Sequence, residues 1–180
     1  MIAGATNHPR TTRSQRHGVL AALFAVALGC GGTSAPVATT SNDVDAKVDA
    51  VARIHGGAGP WAVAGYRMGE YALRALGLER GSFDLEIVHY TPREVQYSCI
   101  ADGAAAATGA SLGKLNLSLA DAAPPETRTL YRRKSTGQTL AVHVTKAFAA
   151  RFTDVPFDKL KEAGREVAQL PDADIFEVMP

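Results

Sequence analysis

Residues 99–117, CIADGAAAATGASLGKLNL, decide how the rest of this chain is read. A cysteine stands near the head of a run of small residues, Thr108-Gly109 breaks the run, Gly113-Lys114 turns the chain, and Leu115, Leu117 and Leu119 then alternate with Asn116 and Ser118. Apolar residues at every second position mark a strand. Ahead of it the pattern predicts a helix over residues 94–108, stopped by Gly109. The Ala104 to Ala107 run has so little side-chain bulk that this helix should pack close against a neighbour.

Upstream, Phe83, Leu85 and Ile87 alternate with Asp84 and Glu86 as a strand over residues 83–89, ended by Pro92. Before it, residues 60–76 carry Trp61, Ala64, Met68, Tyr71 and Ala75 at helical spacing, with Arg67, Glu70 and Arg74 opposite. Glu70 and Arg74, four apart, are expected to pair. Val44, Val48, Val51 and Ala52 suggest a short helix over residues 43–53. Downstream, residues 127–133 and 138–145 read as a hairpin turning at Ser135-Thr136-Gly137. A short helix over residues 146–151 follows, then a helix opened by Pro156 with Phe157, Leu160, Gly164 and Val167 on its packed face, and a last edge strand over residues 175–178. The order helix, strand, helix, three strands, helices is an α+β layer: a mostly antiparallel sheet with helices on one face.

The first thirty residues read as an address. Arg10, Arg13 and Arg16 form a basic region with no acidic residue, and an apolar run over residues 19–28 is too short to span a bilayer. Ala27-Leu28-Gly29-Cys30 resembles a bacterial lipoprotein lipobox; an ordinary secretory signal and an uncleaved anchor are the other readings. On the lipoprotein reading residues 1–29 are removed and Cys30 carries lipid, residues 30–50 are a flexible tether, and residues 51–180 are one domain. The expected location is the cell envelope, at the outer membrane facing the periplasm. The full chain has 19 Lys+Arg and 18 Asp+Glu, so losing three arginines leaves 16 against 18 and a net charge of −2. No basic stripe offers a nucleic-acid surface. With Cys30 lipidated, Cys99 has no partner and no internal disulfide forms.

Two further segments carry a resemblance. His55-Gly56-Gly57-Ala58-Gly59-Pro60-Trp61 precedes the first long helix, and Thr108, Gly109, Gly113, Lys114, Asn116 and Leu117 match a Thr-Gly-x-x-x-Gly-Lys-x-Asn-Leu pattern. With Cys99 and Gly65-Tyr66-Arg67-Met68-Gly69 they resemble the FmdE family of formylmethanofuran dehydrogenase proteins over roughly residues 51–178. The resemblance implies the same α+β order, a pocket shared by His55 and Cys99, and zinc or another divalent transition metal there. It also makes a homodimer plausible. Family members have a pattern like His-Gly-His-x-Cys-Pro before the first helix; here the second His is Gly57 and the first Cys is Gly59. Asp102, a turn past Cys99, is the remaining metal-ligand candidate beside His55 and Cys99. A stable zinc site needs three or four such donors.

Other readings of these residues stand beside that one. His55 can cap a helix, and Cys99 can be a small buried core residue. If Cys99 lies at a helix head with His55 as its base, it is a candidate nucleophile, so His55 and Cys99 are also the catalytic candidates. Thr108, Lys114 and Asn116 are candidates for holding a small anion in a cleft with His55 and Cys99, or else form a tight turn with a solvated lysine. The segment GASLGK is not a phosphate-binding loop: it is one residue short and follows a helix. Arg67 falls on the charged helix face, His143 on the exposed parity of its strand, and His89 on the inward parity as a core histidine. Three functions follow. One is a lipid-anchored domain binding a small ligand or metal at a degenerate His/Cys site; the others are a metal- or thiol-dependent enzyme and an interaction module with a vestigial site.

Overall fold

The computed structural model describes residues 40–180, so the signal, Cys30 and the first part of the tether, to residue 39, lie outside the described residues. Helix α1 (Ser41–His55) is capped by the Thr40 hydroxyl and buries Val44, Val48 and Val51. It begins two residues before the expected helix, and its buried valines bring part of the segment read as tether into the core. Helix α2 (Pro60–Leu76) follows, with Pro60 in the first turn, where its missing N–H has no helical partner to lose.

Strand β1 (Leu85–Thr91) leads to α3 (Val95–Thr108), then β2 (Leu117–Asp121), the hairpin β3 (Arg128–Arg133) and β4 (Thr139–Val144), helices α4 (Lys146–Phe152), α5 (Leu160–Val167) and α6 (Asp172–Ile175), and β5 (Phe176–Val178). These five strands form one sheet in the order β2-β1-β3-β4-β5. Within it β1 and β2 run parallel, and the other neighbours are antiparallel. The expected α+β fold is the one observed.

Leu85, Ile87, Tyr131 and Val142 share the buried face of the sheet, which meets the helices in one core. Within the helical layer α2 and α3 pack almost backbone to backbone. A Cβ on Gly103 would sit 1.8 Å from the Ala62 carbonyl oxygen, and one on Gly65 2.1 Å from that of Ile100. The Ala104 to Ala107 run is buried in this contact, as its lack of bulk predicts.

Three details depart from the sequence pattern. Leu115 is 91% exposed with φ 53°, while Asn116, just ahead of β2, is only 2% exposed, so in the turn the leucine faces water and the asparagine is buried. The reason is hydrogen bonding: Asn116 accepts from the Ser111 N–H (3.0 Å) and donates to the Leu85 carbonyl (3.1 Å), tying the turn to β1. Ala75 is exposed, and Glu70 and Arg74 find partners in Lys47 and Asp172 rather than in each other. Arg67 is not a solvated residue. It donates to the carbonyls of Val167 (3.2 Å) and Ala168 (3.0 Å) and to Asp172 (2.7 Å), clamping the end of α5 to α2.

Candidate functional site

His55 is the last residue of α1. Gly56 ends that helix with φ 83°, its N–H bonded to the Ala52 carbonyl at 2.9 Å, a left-handed cap that favours glycine. Three residues, Gly57 to Gly59, then reach α2. This link is pinned by α5: the Ala58 carbonyl lies where a Cβ on Gly164 would stand, at 1.8 Å.

The His55 ring is oriented by α3. Its Nδ1 lies 2.8 Å from Oδ2 of Asp102. A carboxylate accepts, so Nδ1–H donates, and the Nε2 lone pair is left to face elsewhere. Nε2 makes no hydrogen bond among the described residues. Asp102, expected as a third metal ligand, is instead the group that holds His55 in place.

His55 and Cys99 line one cavity of about 970 Å³. The family resemblance implies a shared pocket for these two residues, and they do share one. Gly57 and Gly59, where the resemblance has His and Cys, border the same cavity. A Cβ on Gly57 meets nothing within 4 Å, and one on Gly59 would make ordinary contact with Leu160 at 3.6 Å. Both glycines could therefore carry a Cβ without a clash.

Cys99 is 7% exposed, and its thiol donates to the Gln96 carbonyl at 3.1 Å. Burial pushes the thiol up to about 12, and the charge of Asp102 adds to the effect. Cys99 is the fifth residue of α3, beyond the first turn where the helix dipole favours a thiolate. The activated nucleophile expected at a helix head is not the state of this thiol, which stays protonated at neutral pH.

Thr108, Lys114 and Asn116 lie at the other end of α3. Thr108 is nine residues past Cys99, roughly 14 Å along the helix axis. Its hydroxyl donates to the Ala104 carbonyl (2.7 Å) and accepts from the Ala110 N–H (3.2 Å). The Lys114 ammonium donates to the carbonyls of Gly109 (2.8 Å) and Gly81 (3.3 Å) and lies 5.1 Å from the centre of the Phe83 ring. None of the three borders the cavity. The expected cleft joining His55, Cys99 and Lys114 does not form. The Thr-Gly to Asn-Leu motif works as a corner between α3 and β2, where its polar groups satisfy backbone groups that the helix end would otherwise leave unpaired.

The remaining walls come from distant sequence. Trp61 donates its indole N–H to the Phe152 carbonyl (2.9 Å) and stacks edge-on with Tyr97 and Phe148. Phe157, expected on a packed helix face, lies in a short 3-10 turn and is 90% exposed at the cavity. Nothing in its spacing distinguishes a core phenylalanine from one placed there; the isolated Pro156-Phe157 pair before a charged Asp158-Lys159 is the only cue. His89 is the core histidine expected. It accepts at Nδ1 from Thr129 (2.9 Å) and donates from Nε2 to the Tyr97 carbonyl (3.1 Å), which steadies the start of α3. His143 is partly exposed beside Glu177 at 3.3 Å.

The donors present do not fit a firmly held zinc ion. The cavity offers two donors, the His55 Nε2 and the Cys99 sulfur, and Asp102 is engaged behind the ring. Among the described residues no group of three or more His, Cys, Asp or Glu side chains is placed to hold a metal ion. Likewise, no described helix is long and apolar enough to cross a membrane.

Compared with known families, residues 54–177 match the family described as FmdE, Molybdenum formylmethanofuran dehydrogenase operon. The match opens one residue before His55 and closes within β5, so it takes in the cavity except Val48, Asp49 and Ala52 of α1. No curated protein matches the sequence.

Proposed function

The chain belongs to the FmdE family, and from that premise we propose that it is a ligand-binding domain without turnover of its own. It takes a small molecule in the cavity at His55 and Cys99, and lipid on Cys30 tethers it to the cell envelope. One observation carries this reading. The family pocket is kept as a cavity of about 970 Å³, while Gly57 and Gly59 replace the two side chains that would complete a metal site. With too few ligands to retain an ion and a buried, weakly acidic thiol, the site supports binding better than metal- or thiol-dependent chemistry. The oriented imidazole supports the same reading, because a histidine held by a carboxylate presents a fixed polar contact. The anchor rests on Ala27-Leu28-Gly29-Cys30 and the basic and apolar segments before it.

Metal analysis of the full chain purified without a histidine tag tests the proposal. Well under one zinc per chain, and no change in that content in His55→Ala, is the expected result. Stoichiometric zinc that is lost in His55→Ala or Cys99→Ser would overturn it in favour of a metal-dependent enzyme.

A further inference from the structure

Resting on the reading of the cavity as a ligand site, we propose that its occupant is an uncharged molecule with an apolar body and one hydroxyl, of the phenol class. The walls are apolar: Ala52, Ala58, Trp61, Val95, Phe157 and Leu160 all border the cavity. The formal charges at its edge are Asp49 and Lys161, both exposed and opposite in sign. An ionic ligand would therefore give up water without a buried partner, which costs more than desolvating a neutral one.

The polar groups inside specify the head of the ligand. With Nδ1–H donated to Asp102, the neutral His55 ring has Nε2 as its acceptor, and it calls for a hydroxyl or N–H from the occupant. An anion has no hydrogen to give, and Asp102 behind the ring repels it. The Gln96 side-chain oxygen accepts from the Asp154 N–H at 3.3 Å, leaving its amide hydrogens as a second polar group at the cavity.

The mouth supports an apolar body. Phe157 is 90% and Val95 72% exposed, two large apolar side chains standing in water beside a pocket. Exposed apolar surface next to a cavity is the usual mark of a binding site. The volume lies within the roughly 300–1,000 Å³ common for small-molecule pockets.

Trp61 is the single tryptophan of the chain and borders the cavity, so its emission reports occupancy. The full chain is titrated with 4-butylphenol, butylbenzene and 4-butylbenzoate, with excitation at the red edge of the indole band. Saturable change with 4-butylphenol is expected, about tenfold tighter than butylbenzene and tighter again than 4-butylbenzoate, since one satisfied hydrogen bond is worth about that factor. His55→Phe should erase the advantage of the phenol over butylbenzene. Asp102→Asn should shrink that advantage with His55 intact, because the ring is no longer held to one tautomer. Phe157→Ala, at an exposed position, should weaken phenol and butylbenzene alike. Tightest binding of 4-butylbenzoate, or equal binding of phenol and butylbenzene, would overturn the assigned chemistry while leaving a ligand site. No response to any of the three would overturn the ligand-site reading as well.

Discussion

Cys99 should be among the slowest thiols to alkylate, and the structure sets how slow. Burial and the nearby Asp102 carboxylate raise the thiol from 9.0 to about 12. Three units lower the thiolate share about a thousandfold at any pH well below both values, and the thiolate is the species that reacts. In a Cys30→Ser background Cys99 is the sole thiol. Iodoacetamide labelling of that variant at pH 8 is followed by mass spectrometry, once folded and once in guanidinium chloride. The folded chain should react ~1,000-fold more slowly than the unfolded one, a ratio set by the thiolate share. Asp102→Asn removes the smaller of the two causes, so labelling should quicken yet stay far below the unfolded rate. Since the thiol hydrogen-bonds to Gln96 and not to His55, His55→Ala should leave the rate nearly unchanged. A folded rate within tenfold of the unfolded one, or one that collapses in His55→Ala, would refute the inert thiol and restore Cys99 as a nucleophile.

The other expectations concern stability and the anchor. Burial pulls His89 from 6.5 down to about 4, so the unfolded chain takes up this proton first as the solution is acidified. Stability should be intact above pH 6.5 and decline by roughly 3 kcal/mol as pH falls from there to about 4. Urea denaturation across that range should show a shallower decline in His89→Gln, and an unchanged slope would contradict the assignment. Gly103→Ala places a methyl 1.8 Å from the Ala62 carbonyl oxygen and forces α2 and α3 apart. A loss of roughly 3 kcal/mol in chemical denaturation is expected, as for other overpacked cores. Gly57→Ala enters open space and should stay within about 0.5 kcal/mol of the parent; equal effects in the two would disprove the packing argument. Cys30→Ser should move the chain from the membrane fraction to the soluble fraction of cells, and unchanged fractionation would rule out the lipid anchor.

Local pattern makes most of the architecture readable. Helical spacing marks α2, and the small residues of α3 forecast its close approach to a partner without saying that Gly65 and Gly103 are the points of contact. The start of β2 misleads because Asn116 looks polar and therefore outward. Its amide instead joins two backbone groups inside the fold, and Leu115 turns out to solvent. Lys114 misleads for a related reason. A lysine beside glycines suggests an anion, but the carbonyls of Gly109 at the end of α3 and of Gly81 ahead of β1 take its hydrogens first. At the candidate site, His55 and Cys99 are legible through the family pattern alone, since spacing does not tell that residues 44 positions apart meet. The Asp102 bond to His55, and the approach of Gln96 and Phe157 to the same cavity, are products of tertiary packing that no local periodicity encodes.

Whether the family pocket survives here as an open site short of metal ligands is decided by zinc titration of the full chain beside a Gly57→His/Gly59→Cys variant. Both positions border the cavity and accept a Cβ, with the nearest neighbour, Leu160, at 3.6 Å from a Cβ on Gly59. The parent should hold no zinc at micromolar concentrations, while the double variant, with four donors, should bind one ion at least ~100-fold more tightly. One tightly bound zinc per parent chain, with no gain in the variant, would contradict an open, ligand-poor site.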